Sequence, residues 1–126
     1  MVGIVIVSHS KLLAEGVADL TKMMAAGCPV ACAGGLEDGS YGTSYAAIKA
    51  AIEKVAGPDG ALVLVDMGSA VMTAEMVLEE LGRKDVVMAD CPIAEGAVAA
   101  SLSSLLGDDL EEVRRQAIEA GKTGKW

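Results

Sequence analysis

Phenylalanine is absent from this chain, and two tyrosines and one tryptophan are its only aromatic residues. A core without large rings must be filled by Val, Ile, Leu, Ala and Met, which suits strands and helices packed closely through small side chains. Basic charge is also scarce: ten Lys and Arg stand against eighteen Asp and Glu, a formal net charge of -8. That balance repels a phosphate backbone, and no basic stripe interleaves with aromatics, so no nucleic-acid partner is expected. The three cysteines, Cys28, Cys32 and Cys91, are odd in number and lack CxxC spacing. Neither a disulfide framework nor a redox motif is indicated, and reduced thiols in a cytoplasmic protein are the expectation. His9 is the one histidine, with no cysteine in ligand spacing beside it, so no metal is expected on this chain. Also missing are a basic stretch before the first apolar run, a small-residue cleavage pattern after it, and any unbroken apolar run long enough for a bilayer. No secretory signal and no membrane segment are expected.

What is present is a real core: 52% of the 126 residues are hydrophobic, enough for a single domain over residues 1–120 followed by a tail, 121–126. Apolar, β-branched runs alternate with segments of helical period. The strands fall at Val2 to Val7, Pro29 to Ala33, Ala61 to Val65 and Val86 to Ala89. None shows in-and-out alternation, which is the mark of strands covered on both faces. Helix starts are signalled by Ser10, by Thr43 or Ser44, by Ser69, by Pro92 in a first turn, and by Asp108 or Asp109 with Glu111 and Glu112 following. Gly82 and Gly121 supply stops, and the tail after Gly121 is expected to fray. Right-handed crossovers with helices on both faces then predict an α/β, flavodoxin-like, open and mainly parallel sheet of core order 2-1-3-4.

That order decides where the chemistry would lie. His9 follows directly on the first strand, at the carboxyl edge where open α/β sheets bind ligands and where a helix start favours an anion. Strand 3 ends in Val65-Asp66-Met67-Gly68-Ser69, which places the Asp66 carboxylate beside His9. A carboxylate on one ring nitrogen fixes the tautomer and leaves the other nitrogen free as a nucleophile. The alternative is that Asp66 only caps the third helix. The glycine-dense loop Gly34 to Thr43 follows strand 2 at the same edge, and Gly39, Gly42 and Thr43 are its candidate phosphate contacts, although its spacing is not GxGxxG. Gly121-Lys122-Thr123 imitates the close of a P-loop but lacks its earlier glycine, since Gln116 stands there. Met67, Met72 and Met76 fall at helical spacing, which predicts core packing for most of them, with a pliable docking surface as the alternative.

Several segments carry a resemblance together: Ile4-Val5-Ile6-Val7-Ser8-His9-Ser10, Leu13-Ala14-Glu15-Gly16, Gly42-Thr43, Asp66-Met67-Gly68-Ser69-Ala70 and Pro92-Ile93-Ala94-Glu95-Gly96. From residue 1 to about residue 120 the chain resembles the phosphotransferase subunits of bacterial dihydroxyacetone kinases, whose core is similar to the mannose-type IIA domain of the sugar phosphotransferase system. The resemblance implies a phosphoryl relay. His9 would accept phosphate on Nε2 from a histidine carrier protein fed by phosphoenolpyruvate, with Asp66 hydrogen-bonded to the other side of the ring. It would then pass the group to ADP held on a second kinase subunit, which also holds the ATP product and magnesium. This chain itself would bind no cofactor, and it would form a homodimer. Ser8, Ser10 and Ser69, with the backbone at Gly68, are the expected donors to the phosphoryl oxygens. Ser8-His9-Ser10 and Met67-Gly68-Ser69 favour this branch over the sugar-transporting one, which remains the runner-up. A receiver-like domain phosphorylated on Asp66 lacks the acidic pair after strand 1, and a flavodoxin-like cofactor module is the remaining alternative.

Overall fold

The computed structural model describes residues 1–125. Strands β1 (Gly3–Ser8), β2 (Val30–Gly34), β3 (Ala61–Val65) and β4 (Val86–Ala89) form one parallel sheet in the order β2-β1-β3-β4. Five helices connect and flank them: α1 (Lys11–Ala25), α2 (Tyr45–Val55), α3 (Gly68–Leu81), α4 (Ile93–Leu105) and α5 (Leu110–Ala120). The predicted order holds, and with it the reversal between β1 and β3 that opens a crevice at their carboxyl ends. Register pairs Val7 with Ala33 on one side and with Val65 on the other. Residues 8 and 66 therefore emerge next to each other.

The absence of alternation in the strands has a direct structural cause. Ile4, Ile6, Leu62 and Leu64 face one core with Ala14 and Val17 of α1, Ala97 and Ala100 of α4, and Val113 and Ala117 of α5. Val5, Val7 and Val63 face a second core with Ile48 and Ile52 of α2 and Ala70, Ala74 and Val77 of α3. Helices meet the sheet mainly through alanine, so they approach closely and no aromatic ring is needed. Burial also disfavours the thiolates: Cys91 is pushed up to about 11, with the Asp90 charge adding to the effect, and Cys28 and Cys32 are raised.

Helix starts depart from expectation in two places. Ser10, Ser44 and Asp109 cap α1, α2 and α5, their side-chain oxygens accepting from Leu13, Ala47 and Glu112 N–H. Ser69, expected ahead of the third helix, instead lies inside its first turn, because α3 starts at Gly68 with Met67 as a cap that offers no side-chain bond. Pro92 likewise stands just outside α4 as its cap. Gly82 ends α3 in the left-handed conformation. Residues 122–125, expected to fray, reach back to the body: Lys122 N–H and the Thr123 hydroxyl bond Glu119 O, and Lys125 pairs with Glu95 at 3.2 Å. Trp126, the lone tryptophan, lies outside the described residues. None of the described helices is long and apolar enough to cross a membrane.

Candidate functional site

His9 and Asp66 meet at the crevice. The backbone of β1 stops at Ser8, and Gly35 N–H and Gly42 N–H, both from the β2–α2 loop, donate to Ser8 O and His9 O. From the β3 end, Asp66 N–H donates to Val7 O. This lacing fixes where both side chains start. His9 Nδ1 lies 3.0 Å from Asp66 Oδ1, with the two side chains 19% and 9% exposed. Asp66 is also bonded by Ser8 Oγ at 2.9 Å, His9 N at 3.0 Å and Met67 N at 2.9 Å.

Four donors on one carboxylate settle its state. Burial opposes the charge, but the His9 N–H, the His9 ring and the Ser8 hydroxyl outweigh it and hold Asp66 below the usual carboxylate range. An ionised carboxylate only accepts, so Nδ1 carries the proton that points at Oδ1. In the neutral ring the lone pair is then on Nε2, at the outer side. There the Ser69 hydroxyl donates to it. Ser69 sits in the first turn of α3, whose start has no side-chain cap, and an uncapped helix start of this kind suits an anion. The local sequence explains this: Gly68 leaves the turn unobstructed, and a hydroxyl one residue further is drawn to the imidazole instead of to its own helix.

The remaining predicted residues divide. Ser8 is a correction, because it is fully buried behind the carboxylate and its oxygen is engaged by Asp66 and Ser10 N–H, leaving no path to the outer face of the ring. Ser10 is occupied by capping α1. Gly42 is at the site: its N–H holds His9 O, and its φ of 146° with the Leu36 side chain packed close by disfavours other residues. Thr43 bonds the Thr73 hydroxyl at 3.0 Å, tying the loop to α3, a partner that sequence spacing did not suggest. Gly39 is not brought to the ring; it makes the exposed turn of the loop, its N–H donating to Leu36 O. Gly68 opens α3 beside Ser69.

The methionines are a second correction. Met67, Met72 and Met76 are 57%, 70% and 61% exposed, because the inward stripe of α3 is taken by Ala70, Ala74 and Val77. Leu12 and Tyr41 are more exposed still, on the two segments that flank His9. Uncovered apolar side chains therefore stand on the segments that follow β1 and β3 and on the β2–α2 loop. On the β4 side lies a cleft of about 520 Å³ lined by Asp66, Met67, Gly68, Asp90 and Arg114 among others.

Comparison with known proteins covers most of the chain. Residues 3–114 match the family EIIA-man, described as the PTS system fructose IIA component. A protein of Listeria innocua named PEP-dependent dihydroxyacetone kinase 1, phosphoryl donor subunit DhaM, is 43% identical over 97 residues, 77% of each chain. The Escherichia coli protein named PEP-dependent dihydroxyacetone kinase, phosphoryl donor subunit DhaM, is 40% identical over 95% of this chain, which spans only 27% of that relative's length. Among solved structures, one titled as the unknown function protein EF1359 superposes with a TM-score of 0.85 at 27% identity, covering 100% of this chain and 99% of the other. With the family match running through all four strands and both residues of the His9–Asp66 pair, this chain belongs to the EIIA-man family of phosphotransferase-system IIA components.

Proposed function

We propose that this chain is the phosphoryl-carrying subunit of a phosphoenolpyruvate-dependent dihydroxyacetone kinase. His9 Nε2 attacks the phosphorus of a phosphohistidine on a histidine carrier protein; the new N–P bond forms as the carrier's breaks, and no proton needs to leave Nε2. In a second encounter the phosphoryl group moves to the terminal oxygen of ADP held on a nucleotide-binding kinase subunit, giving ATP there. ADP, ATP and magnesium belong to that partner. The chain binds no cofactor of its own, and it acts as a homodimer.

One observation carries this reading: Asp66 Oδ1 lies 3.0 Å from His9 Nδ1, a contact that favours the proton on Nδ1 and leaves the lone pair of Nε2 on the Ser69 side, at an uncapped helix start. In-line transfer demands a placed nucleophile and donors for the equatorial oxygens, with little covalent work for the protein. Ser69 turns its hydroxyl from Nε2 to a phosphoryl oxygen, and the N–H groups of Gly68 and Ser69 take the others. The exposed Leu12, Tyr41, Met67 and Met72 exclude water once a partner docks, and flexible methionine suits a surface that must fit two unlike partners in turn. Asp66 is a poor candidate for a receiver-type nucleophile, since both of its oxygens are taken up by donors.

The choice between this relay and delivery to a sugar transporter is made by the acceptor. Phosphorylated chain mixed with the ADP-loaded nucleotide-binding subunit should lose its phosphate as ATP appears. Retention of phosphate there, with transfer to a transporter-associated protein instead, would overturn the dihydroxyacetone assignment.

A further inference from the structure

The inward line of β1 reads Ile4, Ile6, Ser8, and all three positions are fully buried. Alternation along the strand puts Ser8 on the face that Ile4 and Ile6 give to the core, where packing alone calls for an apolar side chain. A buried hydroxyl is costly there unless its bonds are made. Both are made, and in a directed way. Ser10 N–H donates to Ser8 Oγ at 3.0 Å, which leaves the hydroxyl proton for Asp66 Oδ2 at 2.9 Å. His9 N–H reaches the same oxygen, while the other carboxylate oxygen holds the ring.

We infer that Ser8 is a positioning residue that acts on His9 through Asp66: its hydroxyl fixes the rotation of the carboxylate so that Oδ1, and not a tilted carboxylate edge, meets Nδ1–H. A carboxylate turns easily about its last bond, and that bond's setting decides how well Oδ1 is aligned with Nδ1–H and so how strongly the Nδ1-protonated ring is favoured over the other tautomer. The backbone donors at His9 and Met67 hold one oxygen each. Ser8 supplies the donor from a fully buried position on a strand paired to β2, its own carbonyl accepting from Gly35 N–H. This assignment replaces any contact of Ser8 with a phosphoryl group, and its importance for the reaction rests on the phosphohistidine reading above.

The test uses the full chain and two variants. Ser8→Ala removes the hydroxyl, and Ser8→Cys keeps most of the volume with only a weak donor. His9 is the only imidazole, so ring ¹⁵N NMR of the neutral side chain reports its tautomer without overlap. The parent should hold the proton on Nδ1; both variants should show a mixture. Phosphorylation by the histidine carrier should slow by about tenfold to a hundredfold in both, the range for losing one hydrogen bond to a charged group, with the carrier's KM unchanged. Wild-type tautomer and rate in Ser8→Cys would reduce Ser8 to a packing residue and overturn the inference, as would slowing in either variant with no change of tautomer. Because the NMR measurement needs no phosphoryl donor, it judges Ser8 even if the parent never accepts phosphate, an outcome that would sink the relay instead.

Discussion

Replacing Asp66 by Asn keeps the shape of the side chain and removes its charge, and the four donors around it dictate the consequence. An amide has one acceptor end. If its NH2 occupies the Oδ2 position, it faces the His9 backbone N–H, which is partly buried and left without a partner. If it occupies the Oδ1 position, it faces Nδ1 and the Met67 N–H, and the latter is open to water. The second orientation is cheaper. It also forces Nδ1 to become an acceptor, so the ring proton moves to Nε2 and the nucleophilic lone pair is lost. A carboxylate-to-amide change behind a catalytic histidine lowers kcat by about 10⁴-fold in the serine-protease triad, and a comparable loss is expected here. Stability should fall by roughly 1.5–3 kcal/mol, the value of a hydrogen bond to a charged group. Intact-mass kinetics of phosphorylation and ring ¹⁵N shifts measure the two effects. Phosphorylation of Asp66→Asn within about threefold of the parent would refute the tautomer argument.

Because Asp66 is held below its unfolded-state value of about 3.9, its contribution to stability is fully present above that pH and is lost as pH falls through the lower folded value. The difference in unfolding free energy between parent and Asp66→Asn should therefore be flat from neutral pH to about pH 5 and shrink below about pH 4; a difference that shrank on going from neutral to alkaline pH instead would contradict it. Ser69→Ala should slow phosphorylation by about tenfold or more, through loss of a donor to the phosphoryl oxygens, while leaving the tautomer as it is; an unchanged rate would remove Ser69 from the transfer step. Met72→Glu should raise the KM for the carrier by about fivefold or more without altering thermal stability, if this exposed side chain is part of the docking surface. Gly42→Ala, at a φ of 146° and against Leu36, should cost about 1–3 kcal/mol and release the loop that holds His9 O, seen as faster amide exchange at Gly42; unchanged melting and exchange would show the latch to be dispensable.

Much of the architecture could be read from the chain because its signals are redundant. Four apolar runs without alternation specify strands covered on both sides, and the handedness of parallel crossovers then leaves the order β2-β1-β3-β4 and the meeting of His9 with Asp66. What the sequence concealed depends on contacts between distant segments. Ser69 has the local signature of a helix cap, but an imidazole sixty residues away claims its hydroxyl. Ser8 looks equally suited to an external anion or to an internal carboxylate, and only strand alternation together with the position of Asp66 turns it inward. Helical spacing predicts core packing for Met72 and Met76, but spacing alone does not say which face of the helix the sheet covers. Close packing decided that, since Ala70 and Ala74 let α3 approach the sheet and the longer side chains were left outside. Residue 42 was legible as a glycine in a loop, but its grip on His9 O was not, because a backbone bond across the crevice leaves no mark on side-chain composition.

The central claim is that His9 Nε2 carries the phosphoryl group, and intact-mass spectrometry after incubation with phosphoenolpyruvate and the two general carriers of the phosphotransferase system tests it most directly. The parent chain should gain a single acid-labile phosphate and His9→Ala should gain none. A parent that stays unmodified, or a His9→Ala variant that is still phosphorylated, would contradict the account.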